Sequence, residues 1–212
     1  MAIDGNELIT TTRGVRKRID YDKPVSYEVL EECISDALQA PIGDGAWTPH
    51  FVVVLDAELK KQIGALYQKV NIPYIDGIES RALKAADPSE HDRVRATHDT
   101  YRWQGENFGR IPAMVIVGMA GRYEKESQMI QASAYGSIFP AAWSLMLALR
   151  MRGLGACWTT LHLGEADAAS RLLKIPEDFT QGVLLPIGYF TGEKFKQASR
   201  PPASGQIHRD GW

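Results

Sequence analysis

"ASAYGSIFPAAWSLMLALRMRGLGACWTTLHL", residues 132–163, decides how the chain is organised. From Glu124 to Arg152 the pattern is helical and apolar nearly all round, which marks a central helix rather than a surface one. Pro140 is expected to kink it or divide it in two. Gly153 ends it as a C′ glycine, with Arg150 and Arg152 in the last turn against the negative end of the helix dipole. The chain then resumes at once as an apolar strand, "GACWTTL" (155–161). The most apolar run, 138–149, is too short to span a bilayer and stops at Arg150, so it reads as a buried helix.

The same alternation extends in both directions. Residues 5–16 read as a short helix capped by Asp4. "PVSYEVLEECISDALQAP" (24–41) is an amphipathic helix: Ser26 caps it, Glu28 lies in its first turn, and Val29, Leu30, Cys33, Ile34, Ala37 and Leu38 recur at helical spacing. "HFVVVLD" (50–56) is a strand whose continuous apolar run predicts burial on both faces. Residues 57–70 return to helical spacing. Residues 71–108 are polar and charged, and read as loop leading into helix, an excursion off the core or a lid. "IPAMVIVGMA" (111–120) is a second buried strand, "EADAASRLLKIP" (165–176) a short helix, and "GVLLPIGYFTG" (182–192) a further strand. The remainder, 194–212, is extended, with too little apolar content to pack alone. One domain spanning residues 1–212 is expected, its sheet covered by helices on both faces. The connections are too uneven for repeating βαβ units and no GxGxxG follows a strand, which disfavours a Rossmann site.

Composition narrows the function. A formal charge of −2 leaves no basic field for nucleic acid or anionic membrane, so neither is an expected partner. Two cysteines, Cys33 and Cys157, give no disulfide framework and point to a reducing, cytoplasmic setting. The opening residues lack the charged and apolar regions of a secretory signal. The five histidines show no metal-ligand spacing, so no metal is expected; His162, after a strand, reads as a hydrogen-bonded structural residue. GxSxG is absent, and Cys157 inside a buried strand reads as core rather than nucleophile.

The cationic run "TTRGVRKRID" (11–20) is the informative cluster. Arg13, Arg16, Lys17 and Arg18 form either a solvated basic face or a clamp for a phosphate, whose oxygens guanidinium groups bind bidentately. Arg200, made rigid by Pro201 and Pro202, is a second cationic position, and sequence alone does not show whether the two ends meet.

"TTRGVRKRIDYDKPVSYEVLEECISDALQAP", "ASAYGSIFPAAWSLMLALRMRGLGACWTTLHL" and "RLLKIPEDFTQGVLLPIGYFTG" together resemble the FMN-dependent nitroreductase family in content, order and spacing, over most of residues 10–56 and 128–193. The resemblance implies an α+β fold: a three-layer α/β/α sandwich, its mostly antiparallel central sheet flanked by helices, assembled as an intertwined homodimer with FMN at the subunit interface. It implies that Arg13, Lys17 and Arg16 hold the FMN phosphate, ribityl chain or pyrimidine edge. One register selects Arg13, Val15 and Lys17; a shift by one selects Gly14 and Arg16. Lys17 is then a candidate electrostatic partner of the flavin N1 edge. Arg200 matches the phosphate-binding arginine of the family's tail. Trp158, Thr159, Thr160 and Leu161 match the strand edge beside the isoalloxazine, with the Thr160 N–H facing N5. Ala40, Pro41 and Ile42 would cover the ring from the other subunit. The tail 194–212 would pack on the partner.

The family's loop reads Ala-Pro-Ser-x-x-Asn-x-Gln-Pro-Trp-x-Phe, whereas this chain has "APIGDGAWTPHF" (40–51), with Ile42, Gly45, Trp47 and Pro49 at the four polar or aromatic positions. Gly43 and Gly45 still permit close backbone approach. Trp47 is a candidate for the substrate pocket or for the core. The implied activity is NAD(P)H-dependent: hydride passes from NADH or NADPH through flavin N5 to a small-molecule electron acceptor, a nitroaromatic, quinone or activated alkene, in ping-pong order, with no essential side-chain acid or base. Two alternatives stand beside it: a flavin-binding protein with little turnover, for storage or sensing, and a nicotinamide-independent reaction such as dehalogenation or flavin breakdown.

Overall fold

A computed structural model describes residues 3–43 and 47–212. Helices α1 (Gly5–Thr11), α2 (Tyr27–Ala37), α3 (Ala57–Ala85), α4 (His91–Asn107), α5 (Gln128–Met151) and α6 (Ala166–Leu173) surround strands β1 (His50–Val54), β2 (Ala113–Ala120), β3 (Leu154–Ala156) and β4 (Phe179–Tyr189). The strands form one sheet in the order β1-β2-β4-β3, every neighbouring pair antiparallel. The expected α+β architecture, helices on both faces of an antiparallel sheet, is what the chain adopts.

Period-2 alternation in β2 divides the core. Ala113, Val115 and Val117 face a layer built from α2 and α5, with Leu30, Ile138, Leu145 and Leu149 fully buried. Met114 and Ile116 face the opposite layer, where Ile63 and Tyr67 of α3 pack with Phe108 and Leu184. β1 contributes to both layers, Phe51 and Val53 to one and Val52 and Val54 to the other. It is an edge strand, and four of its five residues keep some exposure.

Several boundaries differ from the sequence reading. α1 ends at Thr11 rather than running to 16, because residues 13–15 turn extended and the Val15 N–H donates to the Ala156 carbonyl at 2.9 Å. α3 does not stop at 70 but continues through Pro73 to Ala85 and packs against α4 as a helical hairpin. Most of the 71–108 segment is therefore helical, where the sequence suggests a loop leading into helix. Pro140 does not divide α5, which runs as one helix from Gln128 to Met151. A proline removes one backbone bond, to the residue four earlier; here that residue is Gly136, on the exposed face where water can meet its carbonyl. α5, at 24 residues, is long and apolar enough to cross a membrane, but Ala134, Ile138, Ala141, Ala142, Leu145 and Leu149 spend that apolarity in the core. Its end is as expected: Gly153, at φ +76°, takes the left-handed turn that reverses the chain into β3.

Candidate functional site

One backbone bond, from the Val15 N–H to the Ala156 carbonyl of β3, anchors the cationic segment beside the sheet. Val15 and Ile19 are buried, whereas Arg13 and Lys17 are exposed and Arg16 is half-buried. Arg16 turns toward the residues that follow β3. Its Nε donates to Gln104 Oε1 at 2.9 Å, and its guanidinium lies 4.7 Å from the centroid of the Tyr101 ring. Gln104 is 4 % exposed and also accepts from the Cys157 thiol at 3.8 Å. Burial pushes the Cys157 thiol pKa up, with Arg16 opposing, so this cysteine is held as a neutral core residue.

Arg16 forms one wall of a cavity of about 220 Å³ whose other walls are residues 158–161 and, from the α3–α4 hairpin, Tyr67, Asn71, Tyr74, Ile75 and Tyr101. The hairpin residues were not singled out from the sequence. The signal was there: Tyr67, Asn71, Ile75 and Ile78 keep helical spacing straight through Pro73, and Tyr101 and Gln104 are three apart on α4. Tyr67 stacks on Phe108 with centroids 3.7 Å apart, and its hydroxyl lies 3.0 Å from Thr159 Oγ1. Desolvation pushes the Tyr67 pKa up to about 12, so the phenol is neutral and hydrogen-bonds rather than ionises. Thr159 is paired to Leu184 through both backbone groups, which fixes the edge. The Thr160 N–H donates to no acceptor among the described residues, and Thr160 is exposed.

The other predicted residues divide into two groups. Arg13 and Arg200 both line a broad groove with Thr10, Thr12 and Trp143. Arg13 also donates to the Lys196 carbonyl at 3.1 Å, tying the tail to the segment. Gly14, Val15 and Lys17 line the adjoining groove together with Arg16. Ala40, Pro41 and Ile42 are not among the residues lining these three cavities. Their loop is fixed instead to α5, where the Gly43 N–H donates to Ser137 Oγ at 3.0 Å. Gly45 lies outside the described residues. Trp47 packs 5.0 Å from the Tyr123 ring against the α2–α5 core layer and is not among the residues lining the cavity beside 158–161.

His162 departs from its expected role. It is 3 % exposed, and neither ring nitrogen has a hydrogen-bond partner among the described residues. Burial pushes its pKa down to about 3. Among the described residues no group of three or more His, Cys, Asp or Glu is placed to hold a metal.

A flavin mononucleotide fits these residues. The cavity is lined by Tyr67, Tyr74, Tyr101 and Trp158, its one charged lining residue among the described residues is Arg16, and the Thr160 N–H at its edge has no acceptor among them; Arg16 also lines a neighbouring cationic groove. Comparison with known proteins agrees. The model of the nitroreductase family matches residues 9–189. A protein of Archaeoglobus fulgidus named for NADH dehydrogenase/NAD(P)H nitroreductase is 23 % identical over 97 % of both chains. An iodotyrosine deiodinase of Thermotoga neapolitana is 24 % identical over 84 % of each. Among solved structures, an iodotyrosine deiodinase bound to FMN and 3-iodo-L-tyrosine superposes with a TM-score of 0.71 at 21 % identity, covering 98 % of both chains. A nitroreductase-like protein of Bacillus cereus gives 0.67 at 19 %, covering 99 % of this chain and 97 % of the other.

Proposed function

The chain belongs to the nitroreductase family, and from that premise we propose that it is an FMN oxidoreductase that takes reducing equivalents from NADH or NADPH and delivers them to a neutral, flat electrophile such as a nitroaromatic, quinone or activated alkene. FMN, when bound, supplies hydride acceptance and donation at N5. The protein binds, orients and polarises. Arg13 and Arg200 are assigned to the phosphate ester, a reading supported by both lining one groove. Arg16, rather than Lys17, is the cation at the cavity and is assigned to the pyrimidine edge, where fixed positive charge stabilises developing negative charge. Thr160 would hold the flavin edge through its backbone N–H, which has no acceptor among the described residues. Its neighbour Thr159 is fixed by two backbone bonds and the Tyr67 hydroxyl, so little reorganisation is needed. No essential side-chain acid or base is part of this reading: Tyr67 is held protonated, and among the described residues lining the cavity there is no carboxylate.

The reading includes a second copy of the chain. The outward face of α5 exposes Met129, Ala132, Gly136 and Trp143, and the 40–43 loop is moored on the same helix. A partner seated there would receive Ala40, Pro41 and Ile42 over its own flavin.

The observation that carries the proposal is the meeting of Arg16 with the 158–161 edge in one cavity. Purified protein is expected to be yellow, and its flavin absorbance to bleach on anaerobic addition of NADH or NADPH and return on adding a quinone or nitroaromatic. Colourless protein that cannot be loaded with FMN, or loaded protein that neither nucleotide bleaches, would overturn it.

A further inference from the structure

Among the described residues, four aromatic rings line the cavity beside 158–161: Tyr67, Tyr74, Tyr101 and Trp158. Three of them already have a ring or a cation against them. Tyr67 stacks on Phe108, Tyr101 lies under the Arg16 guanidinium, and Trp158 packs edge to face with Phe139, centroids 5.2 Å apart. Tyr74 is the exception. Among the described residues it has no ring–ring or cation–ring contact. It is also 50 % exposed, where Tyr67 of the same helix is 2 %.

Helix geometry separates the two tyrosines. α3 turns two rows of side chains to the cavity, each with members four residues apart. Tyr67, Asn71 and Ile75 are buried and form its floor; Tyr74 and Ile78 are more exposed and form its rim. The rim is braced from α4. Arg102 donates to Asp76 Oδ1 at 2.8 Å and to Glu79 Oε2 at 2.7 Å, two carboxylates that flank Ile78 along α3. α3 packs on the opposite side of the sheet from α5, so Tyr74 is not on the face proposed as the subunit seam.

A single exposed aromatic is ordinary on a protein surface. One that rims a ring-lined cavity, on a wall held in place, offers a free face to a second flat ring. Resting on the reading that this cavity holds FMN, we propose that the ring of the electron acceptor lies against Tyr74, with Ile78 beside it. This contact selects ring-bearing acceptors, nitroaromatics and quinones, over acyclic activated alkenes. A phenol face gains dispersion and quadrupole contact over the whole area of a conjugated ring, and an acyclic alkene has too little flat surface to match it.

The test uses full-length, FMN-loaded wild type, Tyr74→Phe and Tyr74→Ala, with the flavin reduced anaerobically by dithionite so that no nicotinamide competes for the cavity. Reoxidation is followed at the flavin maximum against rising concentrations of nitrobenzene, menadione and 3-penten-2-one. Ferricyanide, which needs no stacking, is the comparator. The two electrons of each reduced flavin convert one quinone to the hydroquinone, one nitro group to nitroso plus water, or one enone to the saturated ketone, each with two protons; two ferricyanide ions take one electron each. Tyr74→Ala is expected to raise the half-saturating concentrations of nitrobenzene and menadione about tenfold, the scale of one lost aromatic stack. Limiting rates and the ferricyanide response should stay within twofold of wild type, and Tyr74→Phe, which keeps the ring, should match wild type throughout. Wild type should need at least tenfold more 3-penten-2-one than menadione, or leave the enone unreduced. Unchanged half-saturation in Tyr74→Ala, an equal rise in Tyr74→Phe, or equal use of the enone by wild type would each overturn the assignment. Loss of FMN from Tyr74→Ala would overturn it too, because the ring would then hold the flavin rather than the acceptor. Failure of wild type to take up FMN, or of every organic acceptor to reoxidise it, is a different outcome and removes the proposed function itself, and this assignment with it.

Discussion

Arg16 is satisfied by neutral partners, an amide oxygen and an aromatic face, and so keeps its charge available to a ligand. Arg16→Ala is expected to weaken FMN binding by about 2 kcal/mol, roughly thirtyfold, the usual worth of a hydrogen bond to a charged group; fluorescence titration of apoprotein with FMN measures it, and an unchanged affinity would remove Arg16 from the site. The sequence marks Arg16 as a cation within a cluster but not as the one that turns inward. That choice depends on Val15 pairing with Ala156, a contact between segments about 140 residues apart. His162 makes a second, independent prediction. With a folded pKa pushed down to about 3 and an ordinary value near 6.5, it stays neutral in the fold while the unfolded chain takes up a proton. Its contribution is therefore complete above about pH 6.5 and is lost as pH falls toward 3, by up to about 1.4 kcal/mol per pH unit. Urea unfolding of His162→Leu at pH 7 and pH 5 is expected to show a loss about 2 kcal/mol smaller than wild type over that interval. Parallel losses would mean that the imidazole is not held neutral.

At the scale of elements, what was legible followed periodicity and what was not followed tertiary rescue. α2, β2, β4 and the end of α5 could be read because their caps, alternation and C′ glycine are local signals. α3 could not, because a proline at position 73 and a polar surface stretch argue for a break that packing overrides. The packing has a specific contact point. A Cβ on Gly64 would lie 2.5 Å from the backbone of Gly109, beside the short turn that follows α4. Gly64→Ala should therefore cost about 2–3 kcal/mol, as overpacking against immovable backbone does. Gly77, farther along the same helix, meets nothing nearer than an arginine tip at 3.9 Å. Gly77→Ala should raise stability by about 0.5–1 kcal/mol through helix propensity alone. Thermal unfolding of the two variants side by side decides whether α3 is docked as described; destabilisation by both, or by neither, would contradict it.

For the whole molecule, the proposed flavin site lacks within one chain the loop that the family likeness gives it. Arg16 and the strand edge line one cavity, but the 40–43 loop is tethered to α5 through Ser137 and is not among the residues lining that cavity or the neighbouring cationic grooves. The sequence, through its family likeness, assigned Ala40, Pro41 and Ile42 to the flavin, yet no single-chain reading can say whose flavin they cover. A proposed dimer through the open face of α5 resolves this, because the helix that carries the loop would also be the seam. It makes a prediction that separates assembly from folding. Gly136 lies on that face with open space around it, so Gly136→Glu introduces no clash within the chain and replaces a poor helix former with a better one. Its effect should fall on association alone, since burying an unpaired carboxylate at a subunit seam is costly. Light scattering is expected to find wild type at twice the chain mass and Gly136→Glu at the chain mass, with far-ultraviolet dichroism unchanged. FMN affinity of the variant should drop at least tenfold, and that of wild type should weaken on dilution through the dimer's own dissociation constant. A variant that is monomeric yet binds FMN as tightly as wild type would show that the loop from a second chain plays no part in holding the flavin.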